Sequence, residues 1–177
     1  NGIIYVVIGN KYFDEACCSA SSVRRAMPQL PITLFTGLQR TSEWFDEIIH
    51  LSSTGNGIMD KISCMSRSPY ECTLYLDADT YICADVSELF DLLRRFDLAT
   101  AHTFNRVIYP IDDVPDSFAG LNSGVMVYRR SSSMTRFFRD WLRVYEQLAQ
   151  DSGLRSRNEP SLRPALYHSK LRLAILP

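Results

Sequence analysis

Ile3-Ile4-Tyr5-Val6-Val7-Ile8 is an uncharged run rich in β-branched side chains, closed by Gly9-Asn10. It is short for a buried helix and lacks the polar alternation of a half-exposed strand. It therefore reads as a strand covered on both faces. Such a strand has to be sandwiched, which excludes most other ways of folding the chain. Similar runs recur at residues 32–35 and 73–76, with a weaker one around Ile48-Ile49. Segments of helical length separate them. Residues 12–27 are stopped by Pro28, and residues 58–65 carry Ile58, Ile62 and Met65 at helical spacing. Beyond residue 76 the alternation continues. Residues 86–96 are amphipathic and predict a helix, and residues 98–102 and 124–128 predict strands. Residues 131–150 place Met134, Phe137, Phe138, Trp141, Leu142, Tyr145 and Leu148 on one wide helical face. A short helix over 158–168, with Pro160 near its start, precedes a last strand over 171–176. This order predicts an α/β sandwich with a mostly parallel central sheet.

A chain of 177 residues suits one domain with a sizeable core, and no repeat or linker interrupts it. Residues 1–177 are thus expected to form a single domain. The net charge of -1 gives no overall field for nucleic acid or an anionic membrane surface, although the scattered arginines of the second half leave a local anion pocket open. No apolar run is long enough to span a bilayer. The start lacks the pattern of a signal peptide. Five cysteines with no C-x-x-C pair predict reduced, mostly buried thiols and a cytoplasmic setting.

In sheets of this kind ligands bind beyond the carboxyl ends of the strands. The run Thr73-Leu74-Tyr75-Leu76 leads directly into Asp77-Ala78-Asp79, the only D-x-D in the chain. If the backbone stays extended there, Asp77 and Asp79 leave on one face. Two carboxylates at one strand end repel unless a cation lies between them. Oxygen ligands favour a hard ion, Mg²⁺ or Mn²⁺, whose other ligands are water and substrate phosphate. The triplet alone is common by chance, and its place after a buried strand carries the weight. A merely structural use, as a cap for the helix at 86–96, is better served by Asp85.

Residues 68–80, ending Leu-Tyr-Leu-Asp-Ala-Asp-Thr, resemble the core of the GT-A glycosyltransferases. The group around glycogenin and the bacterial lipopolysaccharide galactosyltransferases is the most similar. Phe118-Ala-Gly-Leu-Asn-Ser-Gly-Val-Met-Val-Tyr128 resembles that family's F-N-S-G-V-M-V-Y strand, and Asn158-Glu-Pro-Ser-Leu162 its D-Q-x-x-L or D-E-P-x-L segment. The resemblance implies a GT-A-like, Rossmann-like domain that takes a sugar from a nucleotide diphosphate, with a UDP-sugar as the default donor. The acceptor would be the hydroxyl of a glycan or another molecule. Asp77 and Asp79 would hold the metal, with Ala78 between them against the donor. Gly9, Asn10 and Tyr12 would lie on the base and ribose. Lys61 would reach donor phosphate or the second acid. Asn122, Ser123 and Gly124 would floor the transferred sugar. Glu159 would face the anomeric carbon, as base in an inverting reaction or as a positioning group in a retaining one. The family often supplies a third metal ligand, a histidine in a C-terminal segment. This chain stops at Pro177, so a form shortened at its C-terminus is the expectation.

Two rival functions remain. Phosphatases of the haloacid dehalogenase type also end a strand in D-x-D, the first Asp being a nucleophile. They place Thr or Val two residues after the second Asp, where this chain has Tyr81. The other rival is a sugar-nucleotide-binding domain without catalysis, against which intact Asp77, Asp79 and Glu159 argue. His50 and His102 beside apolar strands are expected to be satisfied structural histidines, and Trp141 with Phe137-Phe138 core. Tyr12 and Lys61 each have a bland reading, a half-buried aromatic at a helix start and a solvated charge.

Overall fold

The uncharged runs become the middle of one sheet. A computed structural model describes residues 1–52, 57–103, 111–151 and 159–177. Its elements are β1 (Gly2–Val7), α1 (Asn10–Ala26), β2 (Ile32–Thr36), β3 (Glu47–His50), α2 (Gly57–Ser66) and β4 (Cys72–Leu76), then a 3-10 helix (Ser87–Arg94). They continue as β5 (Leu98–His102), β6 (Leu121–Arg129), α3 (Ser132–Asp151), α4 (Glu159–Tyr167) and β7 (Leu173–Leu176). The strands form a seven-stranded sheet in the order β3-β2-β1-β4-β6-β5-β7.

All neighbours are parallel except β6, which runs antiparallel to both β4 and β5. That reversal brings the amino end of β6 to the carboxyl edge of β1 and β4. Pairing even outlasts β4, because the Asp77 N–H donates to the Gly124 carbonyl at 2.8 Å. Asn122, Ser123 and Gly124 are thereby set beside the acids that follow β4.

Alternation along each strand fills both layers. Ile3, Tyr5, Val7, Leu74 and Leu76 pack on the α1 side with Phe13, Val23 and Phe90. Ile4, Tyr75, Met126 and Tyr128 pack on the other side with Ile62, Met65 and the inner faces of α3 and α4. On α3, Met134, Phe137, Phe138, Trp141 and Tyr145 are all buried, at steps of three and four as their sequence spacing requires. Each such side chain contributes roughly 1.5–3 kcal/mol of burial. Trp141 Nε1 donates to Ser161 Oγ at 2.9 Å, tying α3 to α4.

Two charged side chains fasten the periphery. Arg163 of α4 is 1% exposed. It donates to the carbonyls of Phe118 and Pro115, both at 2.7 Å, and so holds the segment before β6 against α4. Arg172 donates through Nε and Nη2 to the two oxygens of Asp97 at 3.2 and 3.0 Å, pinning the start of β7 to β5.

Several element boundaries differ from the sequence expectation. Helix α1 starts at Asn10, two residues early, because Gly9 in an extended conformation already caps it. Strand β6 begins at Leu121 rather than 124. The segment after Asp85 is a 3-10 helix. Its apolar residues recur every three positions, as Val86, Leu89 and Leu92 and as Phe90 and Leu93, which suits three residues per turn. The Asp85 carboxylate accepts the Ser87 N–H at 2.8 Å, but the N-cap position itself is Val86, so Asp85 stands one residue ahead of the expected capping place.

Candidate functional site

At the carboxyl edge of β1 and β4 lies a cleft of about 430 Å³. Its walls include Tyr12 from the first turn of α1, Lys61 from α2, and Tyr75, Asp77, Ala78 and Asp79 from β4 and its sequel. Val6, Val7 and Ile8 at the end of β1 and Gly57 and Ile58 at the start of α2 complete it.

The acids meet in this cleft by a different route from the extended one. The backbone turns at once after β4, with the Thr80 N–H donating to the Asp77 carbonyl at 3.1 Å. Thr80 Oγ1 donates to the same carbonyl at 2.8 Å and lies 3.0 Å from Ser19 Oγ, which lies 2.7 Å from the Tyr5 hydroxyl. The turn carrying Asp79 is thus moored to both α1 and β1.

Asp77 is held and Asp79 is open. Lys61 Nζ donates to Asp77 Oδ1 at 2.7 Å and to Ser123 Oγ at 3.1 Å. The ammonium also lies 4.7 Å from the centroid of the Tyr75 ring. Its side chain is only 11% exposed, so it is no solvated surface charge. The Tyr75 hydroxyl donates to the same Asp77 oxygen. Burial, and then the neighbouring Asp77 carboxylate, push the Tyr75 phenol well above its ordinary pKa, so it remains a donor. The other oxygen of Asp77 faces Gly124 across a gap too small for a side chain. Asp79 is exposed and has no hydrogen-bond or ion-pair partner among the described residues.

This donor set fits a hard divalent cation. An open Asp79 carboxylate beside a fixed Asp77 offers oxygen only, and Mg²⁺ or Mn²⁺ is commonly held by one or two carboxylates plus substrate phosphate and water. Among the described residues no group of three His, Cys, Asp or Glu converges on one point.

Of the residues singled out by sequence, Tyr12, Lys61, Asp77, Ala78 and Asp79 line the cleft. Tyr12 is 54% exposed, with the Lys11 ammonium 5.8 Å from its ring centroid. Asn122, Ser123 and Gly124 form the next layer: Asn122 Oδ1 accepts the Gly124 N–H at 2.6 Å, and Ser123 receives Lys61. Gly9 and Asn10 build the turn and first residue of α1 rather than the wall. Asn158 and the Glu159 side chain lie outside the described residues, and the Glu159 backbone opens α4. His102 departs from expectation: its Nδ1 is buried with no hydrogen-bond partner among the described residues. Sequence reasoning missed Tyr75, although its place two residues before Asp77 in a strand puts both on one face.

With this geometry in hand, comparison with solved structures gives the class: the fold is that of the GT-A-type glycosyltransferases. Over 99% of its length the chain matches the glycosyltransferase GlyE of Streptococcus pneumoniae TIGR4, with a TM-score of 0.64 at 16% identity. It also matches the galactosyltransferase LgtC in complex with donor and acceptor sugar analogs, with a TM-score of 0.66 at 12% identity. The bifunctional glycosyltransferase WbbM follows at a TM-score of 0.59 and 14% identity. The chain spans 44% of GlyE, 73% of LgtC and 38% of WbbM. No protein-family model and no curated protein matches the sequence. Among the described residues no helix is long and apolar enough to cross a membrane.

Proposed function

We propose that the chain is the catalytic domain of a glycosyltransferase that uses Mn²⁺ or Mg²⁺ and a nucleotide-diphosphate sugar, of the UDP-sugar class, to glycosylate a hydroxyl of a glycan or other acceptor. The observation that carries this reading is the open Asp79 carboxylate beside an Asp77 fixed by Lys61 and Tyr75, at the ligand-binding edge of this fold. When bound, the cation neutralises charge on the departing diphosphate. Lys61 adds a second positive charge next to that position, and its low exposure strengthens it. Tyr12 offers a flat face for the nucleotide base. Asn122, Ser123 and Gly124 set the floor on which the transferred sugar rests. Glu159 is assigned the acceptor side, as base or as positioning group. All five cysteines are free thiols, in keeping with a reducing, cytoplasm-like setting.

The test is calorimetric titration of UDP with and without Mn²⁺ into the wild type and Asp79→Ala. Binding that needs metal and vanishes in the variant supports the donor site. Failure of UDP and the other nucleoside diphosphates to bind with metal present removes it. A Glu159→Gln variant separates catalysis from mere binding: it should keep UDP affinity and lose sugar transfer. A wild type that binds UDP and metal yet transfers sugar to no acceptor favours the non-catalytic reading instead.

A further inference from the structure

The charge of this chain is sharply divided. Residues 129–177 hold ten Lys and Arg against four Asp and Glu, a net +6, whereas residues 1–128 hold nine against sixteen, a net -7. The basic part contains α3 and α4, and between these helices lies a second groove of about 480 Å³. Topology separates it from the donor cleft. β6 runs away from Asp77, α3 starts where β6 ends, and α4 returns to that same edge before β7. The groove lies along the first half of α3 and the end of α4, so it is at the opposite edge of the sheet.

Its floor is apolar, made by Phe137, Val144, Pro164 and Ala165. Its rim is cationic, with exposed Arg136, Arg143 and Lys170. The rim carboxylate, Asp140, is taken by Arg143 at 3.2 Å and Arg139 at 3.6 Å. No carboxylate among the described residues pairs with Arg136 or Lys170. Two unpaired cations over an apolar floor have the chemistry of a site for a molecule that is apolar at one end and anionic at the other.

We propose that this groove binds a small phosphate-bearing amphiphile, its phosphate between Arg136 and Lys170 and its apolar body on the Phe137 floor. One molecule, rather than a membrane surface, is the occupant. The groove has the size of a small-ligand pocket. Carboxylates interrupt the positive charge around it: Glu146 lies further along α3 and Asp97 pairs with Arg172. This site is independent of the function proposed for the cleft.

The test is titration of the full chain with octyl phosphate below its micellar concentration, alongside inorganic phosphate, octyl glucoside and vesicles of anionic phospholipid. Octyl phosphate should bind saturably at one site. Inorganic phosphate and octyl glucoside should each bind at least about tenfold more weakly, since each lacks one half of the ligand. The double variant Arg136→Gln/Lys170→Gln, altered only at exposed positions, should lose about tenfold, as two modest ion pairs together supply. Arg139→Gln, beside the groove but not lining it, should bind as the wild type does. Equal binding of octyl glucoside, an unchanged double variant, or an equal loss in Arg139→Gln overturns the proposal. So does binding to vesicles without binding to monomeric octyl phosphate.

Discussion

Gly124→Ala tests how tightly the site is built. A Cβ at this position would sit 2.9 Å from Asn122 Oδ1 and 3.1 Å from Asp77 Oδ2, where ordinary contact begins at 3.4 Å. Neither neighbour yields freely. Asn122 Oδ1 is held by the Gly124 N–H at 2.6 Å, and Asp77 is held by Lys61 at 2.7 Å and by Tyr75. Turning Asn122 away forfeits a neutral hydrogen bond, worth about 1 kcal/mol, while moving Asp77 loosens a charge-assisted one worth about 1.5–3 kcal/mol. Overpacking of this kind costs roughly 1–3 kcal/mol, and the stiffer unfolded chain of alanine returns about 0.4–1 kcal/mol. The net, about 1.3 kcal/mol at the middle of these ranges, lowers Tm by roughly 3–5 °C in a domain of this size. The same strain displaces Asp77, so metal-dependent UDP binding should weaken by roughly tenfold for each 1.4 kcal/mol lost there. Thermal melts and UDP titrations on the one variant give both numbers. A variant with the wild-type Tm and the wild-type UDP affinity would refute the claim that Gly124 spaces Asp77.

Three further outcomes follow from the framework around the site. Arg163→Met leaves the Phe118 and Pro115 carbonyls without their buried donor, and should cost about 2–4 kcal/mol. A Tm fall of less than 2 °C would mean those carbonyls find other partners. The hydrogen bonds from Arg172 hold the Asp97 carboxyl below its ordinary pKa. A depressed carboxylate stabilises the fold above its unfolded value near 3.9, and that contribution is lost as pH falls through its folded value. Asp97→Asn should therefore be less stable than the wild type at neutral pH, by at most about 1 kcal/mol for so exposed a pair, with the gap closing in acid. Denaturant melts at pH 7 and below pH 4 read this, and a gap that widens in acid contradicts it. Cys18 and Cys83 are exposed, whereas Cys64 and Cys72 are buried and burial pushes the Cys64 thiol up to about 12. A thiol reagent should label Cys18 and Cys83 rapidly in the native protein and reach Cys64 and Cys72 only on unfolding. Mass spectrometry of the labelled peptides checks the order.

Residues 3–8 and 73–76 could be assigned as buried strands without any structure, because a strand covered on both faces is apolar at every position. The α3 face from Met134 to Tyr145 was equally legible, because helical periodicity is a property of near neighbours. Asp77 and Asp79 stood out for a related reason, a pair of charges placed where a buried strand ends. Lys61 was visible as a charge on the preceding helix, but only packing set its ammonium against Asp77 and Ser123. The direction of β6 was decided by tertiary structure alone. An apolar strand reads the same whichever way it runs, yet only the antiparallel choice carries Gly124 to the Asp77 backbone. The mooring of Thr80 by Ser19 and Tyr5 is likewise invisible along the chain, since it joins residues 61 and 14 positions apart. Periodicity and strand-end charge are local and survive in a one-dimensional string. The choice of partner across the sheet is long-range, and it fixes which of those charges share one cleft.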